Sequence, residues 1–452
     1  MAAALLGFAA LAGCGATTDV SQRADASLPA MMQFPPSTAT RGVARSNSDI
    51  YQEFLDLTFN LESGQNLTRM TRFEGPVRVT LTGRHGPTVG RDLDLLLERL
   101  RDEAGIAISR TDDAANANIV IEGIGKRQLR RAAPNAACIV VPRVGSWSEF
   151  RRARFTRIAD WSSLSERTRV SIFLPDEISA QDARDCLHEE LAQALGPLND
   201  LYRLPDSVFN DDNFNIVLSA YDMLILRVTY APELRTGMTQ EEVAAVLPRL
   251  LAKLNPRGEN RPPFARPASP VRWVRAIETT LGVSTAPAAR AGAANRAVAV
   301  LRQEGITDHR LGFSLYARAR VTAAIDPESA AKDYGRAYAN FAQAFGPRDI
   351  HTAQVALQMA SLALSSGQFG PALDLIEPSI AAARDAQNGR LLFSFLAMKA
   401  EIKRITGDTA QANALRKEAI AWGRYGIRDM GEIADRLDLI SKLAPRLPGA
   451  GA

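Results

Sequence analysis

The chain is poor in the residues that hold metals. Of 452 residues, four are His and three are Cys. The histidines, His85, His188, His309 and His351, are far apart, and two of them fall in the Ala-rich C-terminal part. Strong charge of either sign is also lacking. A net charge of +4 is mild for this length, so composition does not mark a nucleic-acid-binding protein. No apolar run reaches the roughly 18 residues that a membrane span needs. No phosphate-binding loop or dinucleotide fingerprint follows a strand-like segment. No G-x-S-x-G elbow is present. Paired carboxylates such as Asp211 and Asp212 sit in a stretch too generic to indicate a glycosidase.

The rest is ordinary for a folded protein, with 46% hydrophobic and 23% charged residues. The length exceeds one typical core, so two or three domains are expected. Two local basic runs exist, Lys126–Arg131 and Arg151–Arg157. Neither carries the interleaved aromatics of a base-stacking surface. They are read as solvated loops around a strand, and no nucleic-acid partner is expected.

The N-terminus bears on the compartment. Ala2–Gly13 is short and apolar and ends Leu11-Ala12-Gly13 before Cys14. This resembles a bacterial lipoprotein signal, which implies cleavage and lipidation at Cys14. No Lys or Arg precedes the apolar run, a departure from such signals. A multiply acylated Cys would anchor the chain stably in a membrane. The expected location is the bacterial cell envelope, facing the periplasm. Gly15, where an Asp would favour inner-membrane retention, points to the outer membrane. In an oxidising compartment the two remaining cysteines, Cys138 and Cys186, are expected to pair, in preference to two free buried thiols. Closing that loop contributes about 4 kcal/mol in the chain-entropy model.

The most informative segment is His188–Asp200, HEELAQALGPLND. It resembles the metzincin zinc-binding helix, H-E-x-x-H-x-x-G-x-x-H. With the frame set on Glu189, the general-base position is Glu190 and the turn glycine is Gly196. The three histidine positions hold Glu189, Gln193 and Asn199. A frame starting at His188 lacks the second His and misplaces Gly196. The resemblance therefore implies a peptidase-like fold whose zinc ligands have been replaced. No cofactor is expected, with zinc or calcium left open because oxygen donors suit calcium only in larger number.

Periodicity supports an α+β domain around that helix. Pro76–Thr82, Ala117–Gly123 and Arg169–Leu174 read as strands and Val89–Ala104 as a helix. Ser179 opens the next helix, with a core stripe of Ala183, Leu187, Leu191, Ala194 and Leu195. Glu189, Glu190 and Gln193 lie off the stripe and are expected to face a cleft or solvent. Tyr221-Asp222-Met223 and the following apolar run fit the Met-bearing helix that closes a metzincin site. EELAQALGPLND, PDSVFND and YAPELRTGM more closely resemble an uncharacterised family of bacterial lipoprotein-type sequences, over roughly residues 50–255.

Beyond a Pro-rich linker, 256–290, which a short helix at Val271–Leu281 interrupts, the chain becomes an Ala-rich helical region, 291–452. Gly367 aligns with Gly407, Ala360 with Ala400, Ala372 with Ala412 and Ile380 with Ile420, at a fixed spacing. An earlier copy places Ala319 and Ala331 around Asp326. This resembles the tetratricopeptide repeat and implies three helical hairpins, at about 311–345, 351–385 and 391–425. The alternative is a non-repeating bundle. The organisation expected is therefore a signal to residue 14, a tether over 15–49, a degenerate peptidase-like domain over 50–255, the linker, and the helical array. The function expected is that of an anchored binding or scaffold protein. Its array would hold an envelope protein or peptide, and lipid would supply the membrane contact. The alternative is an active metal-dependent hydrolase with Glu190 as general base.

Overall fold

A computed structural model describes residues 31–33, 43 and 45–445, apart from 135, 213 and 265. The signal-like segment with Cys14, and most of the tether, lie outside the described residues. The chain separates into two compact units, one from Pro35 to Ala268 and one from Ser269 onward, to which the described residues 31–33 also belong.

The first unit is mixed α/β. Its elements in chain order are α1 (Asn47–Phe59), β1 (Val77–Gly83), α2 (Val89–Ala104), β2 (Ile108–Arg110), β3 (Ile119–Ile124), α3 (Lys126–Ala132), β4 (Ile139–Pro142), α4 (Trp147–Ala153), β5 (Val170–Pro175), α5 (Ala180–Leu195), α6 (Ala220–Thr229) and α7 (Gln240–Leu254). The five strands form one sheet in the order β2-β1-β3-β5-β4. Four are parallel, with Val79 opposite Ile119 and Ile121 opposite Ile172. β4 runs antiparallel at the edge, with Val140 opposite Ile172.

Alternation along the strands divides the apolar side chains between two cores. Val170, Ile172 and Leu174 of β5 join the large core with Phe54, Leu97, Leu187, Leu191, Met223 and Leu247. Phe173, on the opposite face, joins a smaller core with Leu129, Val141, Trp147 and Ala153. Helices α1, α2, α5, α6 and α7 therefore share the large core, and α3 and α4 pack on the other side of the sheet. This corrects the reading of the first basic run as a loop: it lies wholly on α3, anchored by Leu129. The second begins on α4, anchored by Trp147 and Ala153, and continues through the turn after it. The three-residue β2 had too short a pattern to be read from sequence.

The second unit is helical throughout: α8 (Val271–Leu281), α9 (Pro287–Gln303), α10 (His309–Thr322), α11 (Pro327–Phe345), α12 (Ile350–Ser365), α13 (Phe369–Asp385), α14 (Gly389–Ile405), α15 (Thr409–Gly426) and α16 (Met430–Leu443). The segment read as a linker contains α8, whose buried Trp273 donates through Nε1 to Ser314 Oγ at 2.9 Å. Helical hairpins α10–α11, α12–α13 and α14–α15 recur. Gly367 and Gly407 both take positive φ, +74° and +90°, in the hairpin turns. The turn hydrogen bonds repeat with them: Ala372 N–H donates to Gln368 O, and Ala412 N–H to Asp408 O, each at 3.0 Å. Ala360, Ala372 and Ala412 are buried. The earlier copy departs by one residue. Its second helix is capped by Asp326 itself, where the other copies have the glycine followed by a separate cap. The buried small residue consequently moves from the expected Ala331, which is exposed, to Ala330. Among the described residues no helix is long and apolar enough to cross a membrane.

Candidate functional site

Helix α5 carries the segment that resembles a zinc helix. Ser179 Oγ accepts the Asp182 N–H at 3.0 Å and fixes its start. Ala183, Leu187, Leu191, Ala194 and Leu195 are all buried, as their spacing predicts. Cys186 is joined to Cys138, with Cα atoms 5.9 Å apart, so the helix is tied covalently to the segment entering β4.

Of the three polar residues expected to face a cleft or solvent, two are covered. Glu190 is 5% exposed and Gln193 7%, and only Glu189 is half-buried. The reason is the chain that follows. Gln193 Nε2 donates to Asp200 Oδ2 at 3.2 Å. Asn199 Nδ2 donates to the Asp56 carbonyl at 3.0 Å, and Leu198 N–H to the Leu57 carbonyl at 3.1 Å. Arg203 pairs with the Asp56 carboxylate. The loop after α5 is thus pinned to α1 and folded over the helix. Gln193 and Asn199, two of the three positions that the resemblance aligns with zinc ligands, are engaged in these bonds.

His188 is buried and serves packing. Its Nδ1 accepts the Leu218 N–H at 3.0 Å and docks the entry to α6. Burial first, then Arg184 and Arg99, hold its pKa well below the usual value, so it is neutral. Gly196 is needed for a different reason from the expected turn. Its φ of −172° is extended backbone, but a Cβ there would lie 2.7 Å from Thr229 Cγ2. The glycine allows α5 to end against α6.

Arg167 closes the helix end. Its buried guanidinium donates to the carbonyls of Gln193 (2.7 Å), Ala194 (2.7 Å) and Gly196 (3.0 Å). Gln193 and Ala194 belong to the last helical turn, whose carbonyls lack the usual helical partner, and Gly196 is the residue that caps it. Burial lowers the pKa of Arg167 to about 10, so it stays charged at neutral pH. Asp222, fully buried, does similar work at the other helix. It completes a capping box with Ser219, accepts Ser207 Oγ–H at 2.5 Å and accepts the Val208 N–H at 3.2 Å. Burial raises its carboxyl to about 6.

Electrostatically the site is a group of mutually repelling acids. Burial, then Glu62 and Asp185, push Glu190 up to about 8. Burial, then Glu190, Asp185, Asp211 and Glu62, raise Glu189 well above the carboxylate range. Asp200 is raised well above its usual value by burial and then by Glu62, Asp211 and Glu189. Even so, among the described residues no group of three or more His, Cys, Asp or Glu converges as a metal site requires. Zinc prefers imidazole or thiolate. The only histidine here is already an acceptor for Leu218, and both cysteines are bonded to each other. The residues present do not fit a zinc centre, and no hydrolytic step is derived through one. A cavity of about 230 Å³ opens beside α6, lined by Val43, Glu103, Met223 and Arg227 among others, and none of the substituted ligand positions lines it.

Sequence reasoning passed over Arg167 and Asp222. The S-x-x-D spacing from Ser219 could have revealed the second. Arg167 has no local sign, because it acts on residues 26 to 29 positions away.

Residues 47–249 match the model of a family described as a protein of unknown function (DUF2927). The matched stretch contains the whole sheet, α5 and α6. It agrees with the resemblance to an uncharacterised family over this part of the chain and brings no activity with it. No curated protein and no solved structure matches the chain.

Proposed function

We propose that the protein is a lipid-anchored binding or scaffold protein of the bacterial cell envelope. In this reading the first unit is a metzincin-like fold that has lost peptidase chemistry. The second is a tetratricopeptide-like array that holds an envelope protein or peptide. One observation carries the first half of the reading: the side chains at the Gln193 and Asn199 ligand positions are committed to the loop that covers α5. A metal and a substrate would have to displace those bonds. The recurring hairpins with matching turn bonds around Gly367 and Gly407 support the second half.

The alternative, a metal-dependent hydrolase, is favoured by one observation. Burial raises the Glu190 carboxyl to about 8, near enough to neutral pH for it to exchange a proton with a reacting group. Metal analysis of the purified full chain separates the two readings. The binding reading expects no stoichiometric metal and a melting temperature indifferent to chelator. Stoichiometric zinc lost in Glu189→Ala and Gln193→Ala would overturn it. Photocrosslinking in cells, from exposed positions 374 and 417 of the array and 102 of the first unit, locates the partner. Crosslinks confined to position 102 would reverse the assigned roles.

A further inference from the structure

The sheet face opposite α5 has a property that the proposed function does not use. α3 presents Lys126, Arg127, Arg130 and Arg131, all exposed, while Leu129 is buried beneath them. α4 and the turn after it present Arg151, Arg152, Arg154 and Arg157, also exposed, while Trp147 and Ala153 are buried. Both helices rest on the same small core around Phe173, so the eight cations share one side of the unit. None of them forms an ion pair or a conventional hydrogen bond through its side chain among the described residues. The one acid on these segments, Glu149, accepts the Gly145 N–H at 2.6 Å.

Two large apolar side chains project from the second of these basic segments. Phe155 is 87% exposed and Ile158 49%. Arg154 lies over the Phe155 ring at 4.4 Å. The turn that carries them is held firmly. Arg143, at the end of β4, donates to the carbonyls of Ile158 and Asp160, each at 3.1 Å, and to Ser163. Thr156 closes the turn through the Ala153 carbonyl at 2.8 Å. Phe264 also has an arginine, Arg266, over its ring at 4.9 Å, but it stands away from the two basic helices, and the other exposed apolar side chains, such as Val283 and Ile325, are scattered singly, which is normal.

We infer that this face docks on an anionic phospholipid surface. The arginines meet the headgroup phosphates, and Phe155 and Ile158 enter the boundary with the acyl chains. The pairing of apolar tip with cationic surround is what an interfacial site requires. Duplex nucleic acid would use the charge but not Ile158, and one phenyl ring is not a stacking platform. The contact is independent of acylation at Cys14 and would orient the first unit on the membrane.

The test uses the full chain with Cys14→Ser, so that no acyl chain contributes, in flotation with phosphatidylglycerol-containing vesicles and with phosphatidylcholine vesicles. Binding is expected to be about tenfold stronger on the anionic vesicles and to fall with salt. Phe155→Ser with Ile158→Ser is expected to weaken it about tenfold, with the melting temperature unchanged because both side chains are exposed. Phe155→Trp is expected to show blue-shifted emission on anionic vesicles only. Equal binding to both vesicles, or binding indifferent to the double substitution, would overturn the inference. Tighter binding to duplex DNA than to the anionic vesicles would overturn it as well, in favour of a nucleic-acid partner.

Discussion

At the scale of single residues, α5 shows how burial sets the behaviour of a side chain whose type is plain from the sequence. Glu190, at the position that the resemblance aligns with a general base, is raised to about 8 by burial and then by the acids Glu62 and Asp185. Its folded value lies above the ordinary 4.5, so between those values the native state holds a proton that the unfolded chain has lost. Stability therefore falls as pH rises through that window. His188 acts oppositely, since its depressed pKa makes stability rise with pH, but that effect is complete by about 6.5. From pH 6.5 to 8 the wild type is expected to lose about 2 kcal/mol on account of Glu190, and Glu190→Gln to escape that loss. Thermal melts of both proteins at the two pH values check this. Parallel curves would show that Glu190 is already ionised at neutral pH. Gly196 teaches the same lesson by another route: the residue fits the motif, yet the pressure on it comes from Thr229 and not from a left-handed turn.

At the scale of elements, helices with a clear stripe were legible. Val89–Ala104 and Val271–Leu281 have the bounds their periodicity predicts. α3 and α4 were not, because seven residues give barely two turns and only one or two anchors each. The hairpin register was legible where glycine marks the turn. At Gly407 φ is +90° and nothing lies within 4 Å of an added Cβ, so Gly407→Ala costs conformational strain alone, about 1–2 kcal/mol. Gly335, inside α11 with equally open surroundings, should respond with the opposite sign, gaining about 0.5–1 kcal/mol as Ala. Chemical denaturation of the two variants measures the contrast. Equal shifts would mean that the turn does not hold its left-handed residue in solution. The copy at Asp326 was read one residue out because it lacks that glycine, and only the position of the helix cap reveals the shift to Ala330.

At the scale of the whole molecule, the two units are built on different principles. The first is a sheet with long-range parallel pairings, braced by Cys138–Cys186. The second is a chain of neighbouring hairpins. If Cys14 carries lipid, Cys14→Ser should move the protein from the membrane fraction to the soluble fraction under high-salt washing, which also strips any peripheral contact through the Phe155 face. Membrane retention unchanged by Cys14→Ser in high salt, with an unmodified N-terminus by mass spectrometry, would remove the anchor from the proposed function. What the sequence determined by itself is local: strands by alternation, long helices by their stripes, hairpin turns by glycine, and the pairing of two cysteines by their number. These depend on neighbours a few positions away. What only the tertiary structure decided is which polar groups are covered and by what. Arg167 reaches across to the end of α5, Asn199 is taken by α1, and the two basic runs share one sheet face, with Phe155 exposed in the second. Those outcomes depend on contacts between distant segments, which no spacing in the chain records.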